Sequence, residues 1–134
     1  MTIQISGVHV LADDIDAAVA FYGDVLGFTV RNTVENSGFR WVTLVSDEHA
    51  DLELVLSEPH AGRSQEDGDA VAVLLAKGSL SMLQLRVGDL DATFDRIAAS
   101  ADAEVLQEPS DQFWGVRDAA VRDPAGNMVR IAQA

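Results

Sequence analysis

Apolar and polar residues alternate through Val8 and Val10, and again through Leu83, Leu85 and Val87, which is the period of a half-buried strand. After each stretch the period changes. Ile15, Val19, Tyr22 and Leu26 recur at helical spacing after the first, and Leu90, Phe94 and Ile97 after the second. Asp14 and Asp89 stand where a helix N-cap is needed, with Asp16 and Asp91 in the first turns, where the helix dipole favours acids. Gly27 and the stretch after Ala99 supply the stops. The two helix starts, Asp14-Ile15-Asp16-Ala17 and Asp89-Leu90-Asp91-Ala92, lie 75 residues apart, so the chain carries an internal repeat.

Short strand patterns follow each helix. The first half predicts strands at 28–34, 39–45 and 52–56, with turns at Asn36-Ser37-Gly38 and Asp47-Glu48-His49. The second predicts strands at 104–107, 114–122 and 128–132, with Asp123-Pro124-Ala125-Gly126-Asn127 as a hairpin turn. The order is β-α-β-β-β, twice, an α+β fold. Module one spans about 1–57 and module two about 79–134, joined by a polar linker over about 58–78, in which 70–76 reads equally as a short helix or a strand. Each curved sheet has one face for its helix. Paired, the two modules are expected to close around a cleft, with the helices outside. Strand alternation sends Val8, Val10, Leu54, Leu56, Leu83, Leu85, Val129 and Ile131 to the helix side. It leaves Gly7, His9, Leu11, Glu53, Val55, Met82, Gln84, Arg86, Met128 and Arg130 facing the cleft.

These features resemble the vicinal oxygen chelate superfamily, which includes glyoxalase I, extradiol dioxygenases and bleomycin-resistance proteins. The resemblance rests on Asp14-Ile15-Asp16-Ala17, Phe21-Tyr22 and Val25-Leu26-Gly27-Phe28 in the first module. In the second it rests on Asp89-Leu90-Asp91-Ala92, Trp114-Gly115-Val116-Arg117 and Arg122-Asp123-Pro124-Ala125-Gly126-Asn127. It covers essentially the whole chain and implies a homodimer. It does not name a reaction, because one fold hosts several chemistries. The family's four metal positions, carried over, fall on Gly7, Glu53, Met82 and Arg130. Glycine offers no side chain, a thioether suits hard divalent ions poorly, and a guanidinium does not deprotonate. One carboxylate does not hold a catalytic divalent ion. The resemblance is therefore closest to the metal-independent, bleomycin-resistance-like branch, with no cofactor expected and a small organic molecule bound in the cleft. The alternative is a metal-dependent lyase, isomerase or dioxygenase with a degenerate or shifted site.

Six residues are the candidates for ligand binding: His9, Trp41, Glu53, Gln84, Trp114 and Arg130. His9 and Gln84 are repeat mates two residues on from the metal positions. They read as polar lining residues, with a shifted metal site of His9, Glu53 and Gln84 as the alternative. The resemblance places Glu53 and Arg130, as repeat mates, at the cleft floor, where a carboxylate and a guanidinium are expected to pair, since an unpaired buried charge is costly. Arg130 can otherwise take an anionic or carbonyl group. Glu53 can take a cation, and is the minor candidate for a general base. Trp41 and Trp114 read either as packing or as stacking walls. His49 and His60 read as solvated turn residues.

Composition narrows the partners. With 22 acidic against 9 basic side chains the net charge is −13, which disfavours phosphate backbones and anionic membranes and reads either as solubility or, more sharply, as attraction of a cationic ligand such as a cationic drug. The absence of cysteine excludes disulfides, thiol nucleophiles and thiolate metal sites. The start MTIQISGVHVLADD has neither a basic region nor a long apolar run, so no signal peptide is predicted and a cytoplasmic location is expected. No Ser-His-Asp order, P-loop or dinucleotide-binding glycine pattern is present.

Overall fold

The structure, a computed structural model, describes residues 2–80 and 82–134. Two four-stranded mixed sheets and three helices form two compact units that divide between Ala72 and Val73. In the first unit, strand β1 (Gly7–Leu11) leads to helix α1 (Ile15–Val19), which continues as a π-helical turn over Ala20–Val25. Strands β2 (Thr29–Asn36), β3 (Phe39–Ser46) and β4 (His49–Ser57) follow, and the sheet order is β1-β4-β3-β2. Helix α2 (Gln65–Ala76) carries the chain across the division. In the second unit β5 (Leu83–Val87), α3 (Leu90–Ala99), β6 (Glu104–Asp111), β7 (Arg117–Arg122) and β8 (Met128–Gln133) form a sheet of order β5-β8-β7-β6. Each unit repeats the same topology, as the repeat predicts. Each pairs its first and last strands parallel and the rest antiparallel.

The caps form as read. Asp14 accepts from the Ala17 amide and Asp89 from the Ala92 amide, both at 3.1 Å, each satisfying one of the donors a helix start leaves open. Helix α1 buries Ile15 and Ala18, and the π-helical turn buries Phe21 and Tyr22, whose rings meet edge to face at 5.0 Å. The Leu26 amide reaches back five residues to the Phe21 carbonyl, the wider spacing that marks a π turn. Val42, Leu44, Leu54 and Leu56 form the apolar face of the first sheet, and Ala119, Val121, Val129 and Ile131 that of the second, all buried. Leu90, Phe94 and Ile97 of α3 are buried as well.

Two expectations are corrected and one open reading is decided. The segment 114–122 is a strand only from Arg117, because Gly115 takes φ +92° in a turn that Gln112 and Val116 close by a 2.7 Å backbone bond. The undecided segment 70–76 is the end of a twelve-residue helix that begins inside the polar linker. The loop at 47–49 is tighter than read, with His49 already in β4. The 123–127 turn is as predicted. One Asp123 oxygen accepts from the amides of Ala125, Gly126 and Asn127 at 2.9–3.0 Å, and the other from the Asn127 side chain at 2.9 Å.

Candidate functional site

Residues paired across strands share a face, so register shows which candidates stand together. In the first sheet His9 pairs with Val55 and Val55 with Thr43; one row over lie Gly7, Glu53 and Val45. On the other side lie Leu11, Ser57 and Trp41. His9, Glu53 and Trp41 therefore share the face opposite the buried leucines. Glu53 is held by Arg31, whose Nη1 lies 3.3 Å from Oε2 and whose Nη2 donates to the Ala50 carbonyl at 2.9 Å. A shift in register between Val30 and Asn32 leaves Arg31 outside the regular ladder. Both charged side chains are about two-fifths exposed, so the pair is weak.

On the helix side of the same sheet a cavity of ≈ 330 Å³ is lined by Glu35, Asn36, Ser37, Gly38, Arg40 and Glu58. Arg40 is engaged there, its amide donating to Glu58 at 3.0 Å and its guanidinium lying 2.9 Å from Asp16. None of the six predicted residues lines this cavity.

The second sheet holds a denser polar arrangement. Gln84 pairs with Arg130, Arg130 with Ala120 and Ala120 with Gln107. The next row is Arg86, Ala132, Asp118 and Ser110. Asp118 is only 3% exposed. Its Oδ1 accepts from the side-chain amides of Gln112 at 2.8 Å and Gln107 at 3.1 Å, and its Oδ2 from the Arg130 guanidinium at 3.0 Å. Burial pushes the Asp118 carboxyl up, but the hydrogen bonds from Gln112, Arg130 and Gln107 and the charge of Arg130 outweigh it, so the group stays below the usual carboxylate range. Sequence reasoning missed Asp118, Gln107 and Gln112. The available signal was an acid in the strand segment Asp118-Ala119-Ala120-Val121, where a buried charge requires partners.

Glu53 and Arg130, expected to pair, each have a partner within their own sheet. Register also revises their relation. His9 faces Val55, and its repeat mate Gln84 faces Arg130, so the counterpart of Arg130 in the first unit is Val55 and not Glu53. Trp114 stands in the β6–β7 turn, 55% exposed, its ring edge-to-face with Phe113 at 4.7 Å. Met82 is exposed just before β5.

A divalent metal fits these residues poorly. Arg130 already donates to Asp118, Glu53 is held by Arg31, and Gly7 offers no ligand. Among the described residues no three His, Asp or Glu side chains stand close enough to hold an ion.

The repeated topology with a polar sheet face in each unit defines a class. The chain belongs to the Glyoxalase/Bleomycin resistance protein/Dioxygenase superfamily, whose family model matches residues 4–131. Among particular relatives it is 28% identical to the uncharacterised protein YurT of Bacillus subtilis (strain 168), over 92% of this chain and 94% of that one. The crystal structure of UcmS2 is similar with a TM-score of 0.86 and 29% identity, covering 98% of both chains. That of TnmS3, an antibiotic binding protein from Streptomyces sp. CB03234, is similar with a TM-score of 0.74 and 26% identity, over 98% of this chain and 96% of that one. No helix among the described residues is long and apolar enough to cross a membrane.

Proposed function

We propose that this chain binds a small organic molecule of the antibiotic type on the polar faces of its sheets, without a divalent metal. The observation that carries the reading is the state of Arg130. A guanidinium fixed at 3.0 Å on a buried carboxylate occupies a position where the family resemblance implies a metal-binding acid. A cation there repels a metal ion and offers hydrogen-bond donors to an organic ligand instead. The similarity to TnmS3, named as an antibiotic binding protein, supports the same reading. His9, Trp41 and Glu53 of the first unit, and Gln84, Trp114 and Arg130 of the second, are the proposed contacts. A homodimer is proposed with it, on the family resemblance.

Two measurements test this. Protein purified without chelator and incubated with Ni, Zn, Mn and Fe(II) is expected to retain no stoichiometric metal by elemental mass spectrometry. About one ion per chain, lost in Glu53→Gln, overturns the metal-independent reading. An antibiotic library read by tryptophan fluorescence is expected to yield ligands whose affinity falls by about 1–3 kcal/mol in Trp114→Ala, the scale of a lost stacking contact. A library without a ligand overturns binding, and ligands indifferent to the change remove Trp114 from the site.

A further inference from the structure

Resting on the binding reading above, we infer that the polar face of the second sheet selects an anionic oxygen, a carboxylate or phenolate on an aromatic ligand, through Arg130 and Arg86, with Asp118 as the positioning residue. The net charge of −13 points the other way, towards a cation. At a binding face, however, the charges within a Debye length of about 8–10 Å decide, and those farther off are screened. The two acids that register sets on this face are matched. Asp118 is paired with Arg130 at 3.0 Å, and Glu104 lies 3.9 Å from Arg122 across the β6–β7 register. Arg86 is exposed and has no ion-pair or hydrogen-bond partner among the described residues. It stands two residues along β5 from Gln84, the partner of Arg130, and so shares that face. One positive charge is therefore left over, beside a second guanidinium whose donors are only partly used.

The network around Asp118 gives the pair its geometry. A free arginine loses rotamer entropy on binding, whereas a guanidinium already held by a buried carboxylate does not lose it again. Asp118 is itself held by Gln107 and Gln112, so the carboxylate cannot turn away without breaking two further bonds. Gln112 is two residues from Trp114, which is exposed on the same turn. A ligand with an aromatic ring for Trp114 and an acidic oxygen for the arginines fits this chemistry, and an amine does not. Neutralising Arg130 with Asp118 does not cancel the effect, because the remaining guanidinium N–H groups still donate and a charge-assisted bond is about twice a neutral one.

Three naphthalene probes of one shape test the inference by isothermal titration calorimetry: 2-naphthoate, 2-naphthamide and 2-naphthylmethylammonium. The wild-type protein is expected to bind the carboxylate at least about tenfold more tightly than the amide, and the ammonium least of all. Arg86→Gln, an exposed change on an edge strand that leaves the core untouched, is expected to cut the carboxylate-to-amide ratio several-fold, and Arg130→Gln to bring it near one. Asp118→Asn, checked for folding by its melting curve, removes both the anchor of Arg130 and a negative charge; it is expected to lower the same ratio because the anchor is lost, and a ratio that stays or rises overturns the positioning role of Asp118. Equal affinity for acid and amide in the wild type overturns the inference while small-molecule binding stands, and so does a ratio unchanged by both arginine substitutions. Failure of all three probes to bind overturns the aromatic-acid inference, and only an empty antibiotic library overturns binding itself.

Discussion

Removing the Asp118 carboxylate perturbs three donors at once. In Asp118→Ala one guanidinium nitrogen of Arg130 loses its acceptor, while the Gln107 side-chain amide falls back on the Ser110 hydroxyl and the residue 118 carbonyl and Gln112 on a 3.5 Å contact with the Ser110 hydroxyl. Arg130 keeps 30% of its side chain in water and recovers part of its solvation, so the full cost of stranding a buried charge does not apply. Two bonds from neutral donors to a buried carboxylate, exchanged for weaker neutral acceptors, plus the lost bond of one partly rehydrated cation, amount to about 2–4 kcal/mol. For a chain of this size that lowers the melting temperature by on the order of 10 °C. Urea unfolding followed by circular dichroism reads it, with the slope unchanged so that the midpoint shift reports stability. The same carboxylate fixes a pH dependence. Its pKa is lowered in the fold, so its contribution is whole above the unfolded value of about 3.9 and is lost as pH falls through the lower folded value. The gap between wild type and Asp118→Asn is therefore flat from about pH 8 to pH 5 and narrows only below about pH 4. A loss below about 0.5 kcal/mol in Asp118→Ala, or a gap that narrows near neutrality, refutes the account.

Two further changes test local structure. Asp14→Ala and Asp89→Ala each remove one N-cap bond and are expected to cost about 1 kcal/mol in urea unfolding, nearly additively because the two caps lie in different units. Gly126→Ala combines a φ of +110° with a β-carbon that would meet the Leu75 carbonyl at 2.6 Å, and backbone does not yield as a side chain does. It is expected to cost more than about 1 kcal/mol, read as a lower melting temperature.

What the sequence made legible was local. A cap needs one aspartate and the amides beside it. The 123–127 turn likewise carries the four bonds to the Asp123 carboxylate within five residues, so both appear as motifs. Helix α2 did not. Gly68, Val71 and Val73 weaken its propensity, and Val73 and Leu74 remain exposed while Leu75 is buried, so no clean apolar stripe marks it. The π turn after Val19 hides for another reason: Tyr22 and Phe21 fit an ordinary helical spacing, and only the backbone bonds distinguish the two. At the site, alternation placed His9, Glu53, Gln84 and Arg130 on the faces they occupy. The partners of Glu53 and Arg130 were not readable, because each depends on a bulge or on the register between strands. Arg31 reaches Glu53 across 22 positions and Asp118 reaches Arg130 across 12.

Register makes a final comparison between the halves. His9 against Val55 and Gln84 against Arg130 are the same backbone position in two copies, and where the first has Val55 the second has a guanidinium paired with Asp118. The charge at Arg130 and the burial of Asp118 are therefore one feature: neither is stable on that face without the other. Arg130→Glu tests the coupling with a change of sign. It sets a second carboxylate against Asp118, whose neighbours Gln107 and Gln112 cannot neutralise both. Two acids so close share a proton, so the folded protein raises the pKa of one of them above its unfolded value. A carboxyl whose pKa is raised by folding destabilises the protein while ionised, and the loss is recovered as pH falls through the raised value towards the unfolded one of about 4. The variant is thus expected to gain stability between about pH 7 and pH 5, where the wild-type Asp118 contribution is constant. Urea midpoints taken across that range, wild type beside variant, decide it. A variant whose pH profile parallels the wild type shows that residue 130 and Asp118 do not interact, and the reading of this face as a coupled charge pair then fails.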